Sequence, residues 1–139
     1  MFHVTFKVDG PPHGKGRPRF ARMGNFVRTY TDDKTKFYED LVRLSAQKSM
    51  GMSEPLKTAL DAFIYISLPI PSSYSKKRTE ACLSGLEKPI KKPDIDNVAK
   101  SVLDGCNGVI FVSDSQIVNL HITKTYGVPH VEVLIRETE

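Results

Sequence analysis

The chain has 139 residues, 40% of them apolar, which is enough for one hydrophobic core and too apolar for a disordered protein. Its formal charge of +4 leans toward anionic partners such as nucleic acid, and the lean is uneven: Lys15, Arg17, Arg19, Arg22 and Arg28 fall in a stretch without a single acid. No apolar run approaches the ~18 residues of a membrane span, and no basic segment leads into an apolar one as in a signal peptide, so a cytoplasmic protein without a membrane partner is expected.

Phe2, Val4, Phe6 and Val8 alternate with polar residues, the period of a half-buried strand. "DGPPHGKGRPR" is too rich in Gly and Pro for regular structure and reads as a basic loop. "FARMGNFVR" reads as a short hairpin with Met23-Gly24-Asn25 at its tip. A helix is expected from about Thr31, with Thr31 as N-cap, Asp32 and Asp33 in its first turn, Phe37, Leu41 and Leu44 as its apolar stripe, and Gly51 at its end.

"LDAFIYISLPIP" is apolar almost throughout and reads as a strand central in its sheet. A short helix is expected from Ser75 to Leu83, stopped by Gly85. A basic linker follows, in which Pro93 keeps the chain extended just before Asp94. The third helix is expected from about Asp96 to Cys106, with Val98, Val102 and Leu103 inward. The remainder reads as two strands joined by a turn at Tyr126 to Pro129. Without repeats or low-complexity segments, the chain reads as one α+β domain over residues 1–139, a mixed or antiparallel sheet with helices packed on it.

The chemistry concentrates in "KKPDIDNVAKSVLDG", Lys91 to Gly105. Two carboxylates one residue apart repel each other unless something positive lies between them. Alone, Asp96 is a natural N-cap and Asp94 a solvated side chain. As a pair at the end of an extended segment, they can converge on a hard cation. An EF-hand is excluded, because the fifth, sixth and twelfth positions counted from Asp94 are Val98, Ala99 and Gly105. Mg²⁺, or Mn²⁺ in its place, suits a site of few carboxylates that retains water and takes phosphate oxygens.

Lys100 and Asp104 follow Asp96 at intervals of four and share its helical face. For Asp104 a salt-bridged surface stripe is sufficient explanation. Lys100, one turn from the carboxylates, can hold a phosphate oxygen and stabilise charge developing on phosphorus. Asp114, in the polar turn "SDSQ", joins the site only if the fold returns it to Asp94 and Asp96.

"KPDIDNVAKSVLDGCNGVIFVSDSQI" resembles the signature of the RusA family of Holliday junction resolvases, small metal-dependent endonucleases common in prophages. The family pattern runs K-P-D-x-D-N-x-x-K, then x-x-x-D, then L-x-G-x-x-x-x-D-D-x-x-I. "GPPHGKGRPRF" and "YTDDKTKFYEDLV" are similar to the family's opening. The resemblance implies Asp94, Asp96 and Asp114 as metal-binding carboxylates, Lys100 as assistant at the scissile phosphate, and a homodimer with a mixed α/β fold. It also implies resolution of four-way DNA junctions by paired cuts in recombination and repair. The sequence departs from the pattern at Ser113, where many members carry the first of two adjacent acids, and at Cys106, where Leu is usual.

"GPPHGKG" is not a phosphate-binding P-loop, since it is one residue short and has no Ser or Thr after Gly-Lys. As a basic loop it can instead track a DNA backbone through Lys15, Arg17 and Arg19, joined by Lys91 and Lys92. His3, His13, His121 and His130 lack ligand spacing, and Cys82 and Cys106 read as buried, inert thiols. The function expected is a Mg²⁺-dependent structure-specific endodeoxyribonuclease for four-way junctions. The competing readings are a non-catalytic binder of branched DNA and a nuclease for other branched or flapped DNA.

Overall fold

The computed structural model describes residues 2–16, 19–30 and 32–139, with Arg19, Thr29 and Tyr30 described by backbone alone. Strand β1 (His3–Asp9) is followed by the hairpin β2 (Arg19–Met23) and β3 (Phe26–Tyr30), then by helix α1 (Asp33–Met50). Strand β4 (Leu60–Leu68) leads to α2 (Lys76–Ser84) and α3 (Ile95–Cys106). A single 3₁₀ turn (Asp114–Gln116) opens β5 (Ile117–Tyr126), and β6 (His130–Glu137) closes the fold. No described helix is long and apolar enough to cross a membrane.

The main sheet has the order β1-β6-β4-β5, with β4 and β5 parallel and the other pairs antiparallel. It is the mixed sheet expected, and β4 lies inside it with all but two of its nine residues buried. β5 and β6 follow one another through residues 127–129 yet do not pair, because β4 lies between them. The hairpin β2–β3 forms a separate two-stranded sheet, turning through Gly24 and Asn25 with Gly24 at φ 63°.

One core joins the inward sides of Val4, Val8, Ile64, Ile66, Val131, Val133 and Ile135 to Val42 and Ala46 of α1 and Val98 and Val102 of α3. The apolar side expected for α3 is the buried one. In α1 it is so only in part: Leu41 packs half-buried against the core, but Phe37 and Leu44 are 65% and 50% exposed, while Tyr38, Val42, Ala46 and Met50 are buried. The buried stripe is displaced by one residue, a turn of about 100°. The reason lies in α3. A Cβ on Gly105 would sit 2.7 Å from Val42 Cβ and 3.0 Å from the Glu39 carbonyl. The two helices therefore meet closely at the one residue lacking a side chain, and Val42 must face it.

The caps follow simple chemistry. Ser75 accepts a hydrogen bond from Arg78 N at the start of α2, and Gly85 ends it in the left-handed region at φ 85°. The N-cap of α1 is Asp32, whose carboxylate accepts from Thr35 N at 2.9 Å. The cap expected at Thr31 lies outside the described residues.

Candidate active site

Pro93 delivers the chain extended into α3, and Asp94 takes the N-cap position with φ −69° and ψ 144°. The cap expected at Asp96 is thus two residues too late. Asp96 lies in the first turn, its Oδ1 accepting from Asn97 N at 3.0 Å. Although Asp94 holds the capping position, its carboxylate caps nothing. Both side chains are exposed, and the positive end of the helix dipole eases their mutual repulsion. From β5, Lys124 Nζ donates to the carbonyls of Lys91 (2.9 Å) and Pro93 (3.2 Å), fixing the approach to Asp94.

Asp114 is returned to the same helix. Its carboxylate lies 3.4 Å from Lys100 Nζ, and Lys100 is 3.0 Å from Asp104. The turn carrying Asp114 is braced: its N–H donates to Asn107 Oδ1 at 3.1 Å, and Ser113 Oγ accepts from Ser115 N at 3.2 Å. Gln116 Oε1 accepts from Val112 N and Ser113 N, while its Nε2 donates to the Leu56 and Thr58 carbonyls. Ser113 and Gln116 together form a capping box.

Behind Lys100 the charges alternate inward. Asp104 Oδ2 lies 2.5 Å from Lys15 Nζ, which is also 2.9 Å from Glu39 Oε1. Burial raises the Asp104 carboxyl, but hydrogen bonds from Lys15 and Lys100 outweigh it and hold it below its ordinary value. Burial likewise works against the Lys15 ammonium, and the bonds to Asp104 and Glu39 hold it above its ordinary value. The Lys100 ammonium is raised chiefly by its bond to Asp104. Lys100 is thus held between two carboxylates, Asp104 and Asp114, that favour its charged form.

A family model described as "Endodeoxyribonuclease RusA" matches residues 9–136. The chain belongs to the RusA family. It is also 38% identical over 138 residues to "Uncharacterized protein YqaN" of Bacillus subtilis (strain 168), covering 96% of each chain.

The RusA motif thus lies on one end of one helix: Asp94, Asp96 and Lys100 along α3, with Asp114 set against Lys100. The donors fit a hard cation in kind, being carboxylates, with Asp94 left uncommitted by the cap. Among the described residues no three His, Cys, Asp or Glu side chains are gathered closely enough to hold a metal by themselves. A cation here would therefore complete its shell with water and phosphate oxygens, the habit of Mg²⁺.

Of the cations expected on DNA, Lys92 is exposed and Lys91 is exposed with its Nζ 3.1 Å from Tyr74 Oη. Arg17 lies outside the described residues, and Arg19 stands at the start of β2. Lys15 is turned inward to Asp104 and Glu39, so the first part of the basic loop is no solvated arm. It is a strap across α3: Lys15 N donates to the Asn97 carbonyl at 2.9 Å, and Ser101 Oγ donates to the His13 carbonyl at 2.7 Å. Asp104, expected to form an ordinary salt-bridged stripe, pairs with Lys100 as expected and with Lys15 as well.

Sequence reasoning missed Arg43, which donates to the Asp104 and Asn107 carbonyls and closes the C-terminal end of α3. It also missed the bracing of Asp114, although the S-x-x-Q spacing of Ser113 and Gln116 was a readable signal. Both cysteines are free and buried as expected, and burial pushes the Cys106 thiol up to about 12.

Proposed function

We propose that this RusA-family protein is a divalent-metal-dependent endodeoxyribonuclease that resolves four-way DNA junctions by paired, symmetric phosphodiester hydrolysis. The observation that carries the reading is the set of groups along α3: an N-cap aspartate that caps nothing, a second exposed aspartate, and a lysine whose Nζ lies 3.4 Å from Asp114. Asp94 and Asp96, with Asp114 drawn in on binding, would hold Mg²⁺, with Mn²⁺ as substitute and with water and phosphate oxygens completing the shell. When bound, the ion supplies charge neutralisation at the phosphate and a water of lowered pKa.

The chain's own residues do the rest. Lys100, kept protonated by Asp104, offers its ammonium to a non-bridging phosphate oxygen, where negative charge grows as the phosphorus is attacked. Asp104 orients that ammonium without touching substrate. Lys91 and Lys92, just before Asp94, meet the flanking backbone. One chain holds one such constellation, whereas a junction needs two cuts related by a two-fold axis, so a homodimer is part of the proposal. Phe37 of α1, 65% exposed, and the sheet edges β1 and β5 are the surfaces available to it.

The deciding experiment is incubation with a mobile four-way junction, with and without Mg²⁺, mapping nicks on all strands. Paired nicks at symmetric positions that require the metal support the proposal. Junction binding without nicks in Mg²⁺ or Mn²⁺ favours the non-catalytic reading, to which the loosely gathered carboxylates lend weight. Preferential cutting of flaps favours the third reading.

A further inference from the structure

The β2–β3 hairpin takes no part in the main sheet, and isolated hairpins are only marginally stable in water. Yet it presents large apolar side chains to solvent: Phe20 is 70% exposed, Met23 57%, Phe26 78% and Val27 67%. Its pairing divides them between two faces. Met23 is opposite Phe26, and Ala21 is opposite Arg28, on one face. Arg22 is opposite Val27 on the other, which Phe20 shares. Among the residues whose side chains are described, each face therefore carries one phenylalanine and one arginine.

The roots of the hairpin are fixed beside the carboxylates. The incoming chain is held where Lys15 N meets the Asn97 carbonyl, next to Asp96, and where Gly16 N meets Thr35 Oγ1 at 3.1 Å. The outgoing chain is held by the Asp32 cap of α1. Five residues of strand reach roughly 17 Å from these roots, comparable with the width of a duplex groove. Charge selects the occupant. No acid occurs between Asp9 and Asp32, so a second hairpin would set arginines against arginines, whereas a polyanion with flat aromatic units satisfies both residue types.

We infer that the β2–β3 hairpin is a base-stacking wedge, its phenylalanines taking unstacked bases at the branch point while Arg22 and Arg28 hold the adjoining phosphates. The inference rests on the junction reading, and its test separates the two. Wild type and the Phe20→Ala/Phe26→Ala double variant are first compared for thermal melting and sedimentation, then titrated without divalent metal into a junction carrying 2-aminopurine at the crossover. Wild type should raise the fluorescence as the base unstacks. The variant, folded and assembled as wild type, should lose that rise and bind the junction roughly ten-fold more weakly per phenylalanine, with duplex binding unchanged. An unchanged rise and affinity overturn the wedge, and so does a variant that falls from dimer to monomer, which would assign the hairpin to a second copy. If wild type shows no junction preference, the junction reading fails by itself. The wedge is then judged on single-stranded DNA, where unchanged affinity of the double variant overturns it and a ten-fold loss supports it.

Discussion

The acid-free basic stretch divides into two parts that behave oppositely. Residues 10–16 form a strap whose lysine is drawn into the protein by Glu39 and Asp104, and whose backbone is bonded to α3. The hairpin after it leaves Arg22 and Arg28 exposed, among apolar side chains that nothing in the described chain covers. In sequence the two look alike. The difference teaches that a run of cations is a ligand surface only where the fold supplies no carboxylate of its own.

Several substitutions probe that contrast, beginning with the residues the strap crosses. Asp94→Asn alters neither the Lys15 ion pairs nor the hairpin, so cleavage should fall about a thousand-fold or more while junction binding persists or tightens. Single-turnover rates beside a binding titration check this, and near-normal cutting would remove Asp94 from the site. Lys15→Met should act on the fold. It strands Glu39 and leaves Asp104 with Lys100 alone, and should lower stability by about 2 kcal/mol, less than the ~3–5 of a fully buried pair because Lys15 is 23% exposed. Urea unfolding gives that value, and the salt dependence of DNA binding should not change.

Acid sharpens the same point. A carboxyl depressed in the folded state contributes its full stability above its unfolded value and loses it as pH falls through the folded one. Wild-type stability should therefore decline below pH 3.8, the ordinary value from which Asp104 is lowered. Asp104→Asn should remove part of that decline, under about 1 kcal/mol since the pair meets some solvent. Denaturant midpoints across pH 2.5–6 would show it. The smallest effect on stability belongs to the hairpin: Arg22→Ala with Arg28→Ala should leave melting unchanged. On DNA, however, the pair should reduce the log–log salt slope by about 1.8, two phosphate contacts at ~0.9 each. An unchanged slope would make the hairpin arginines as uninvolved in DNA binding as Lys15 is expected to be.

What could be read beforehand was local. The central place of β4 follows from its nearly continuous apolar run, the end of α2 from Gly85, and the hairpin from Gly24-Asn25. Asp94, Asp96 and Lys100, too, lie in one short stretch at the start of α3, whereas Asp114 lies outside that helix. What escaped depended on distance along the chain. Lys15 and Asp104 are 89 residues apart, so no window on the sequence contains both ends of their ion pair. The α1 stripe failed for a related reason. Phe37, Leu41 and Leu44 fit the helical period as well as Tyr38, Val42 and Ala46, and only contact with Gly105 decides between them. At Asp94 and Asp96 either residue can cap a helix, and one position separates them.

Gln116 has a consequence for how quickly the site can work. Its amide uses both lone pairs of its oxygen and both hydrogens of its nitrogen, tying the Asp114 turn to residues 112–113 on one side and 56–58 on the other. A carboxylate on a free loop would have to be immobilised anew at each encounter with substrate, at an entropic cost repeated every turnover. Here that immobilisation is completed once, when the chain folds, so that in the proposed nuclease Asp114 would meet each incoming phosphate already in position.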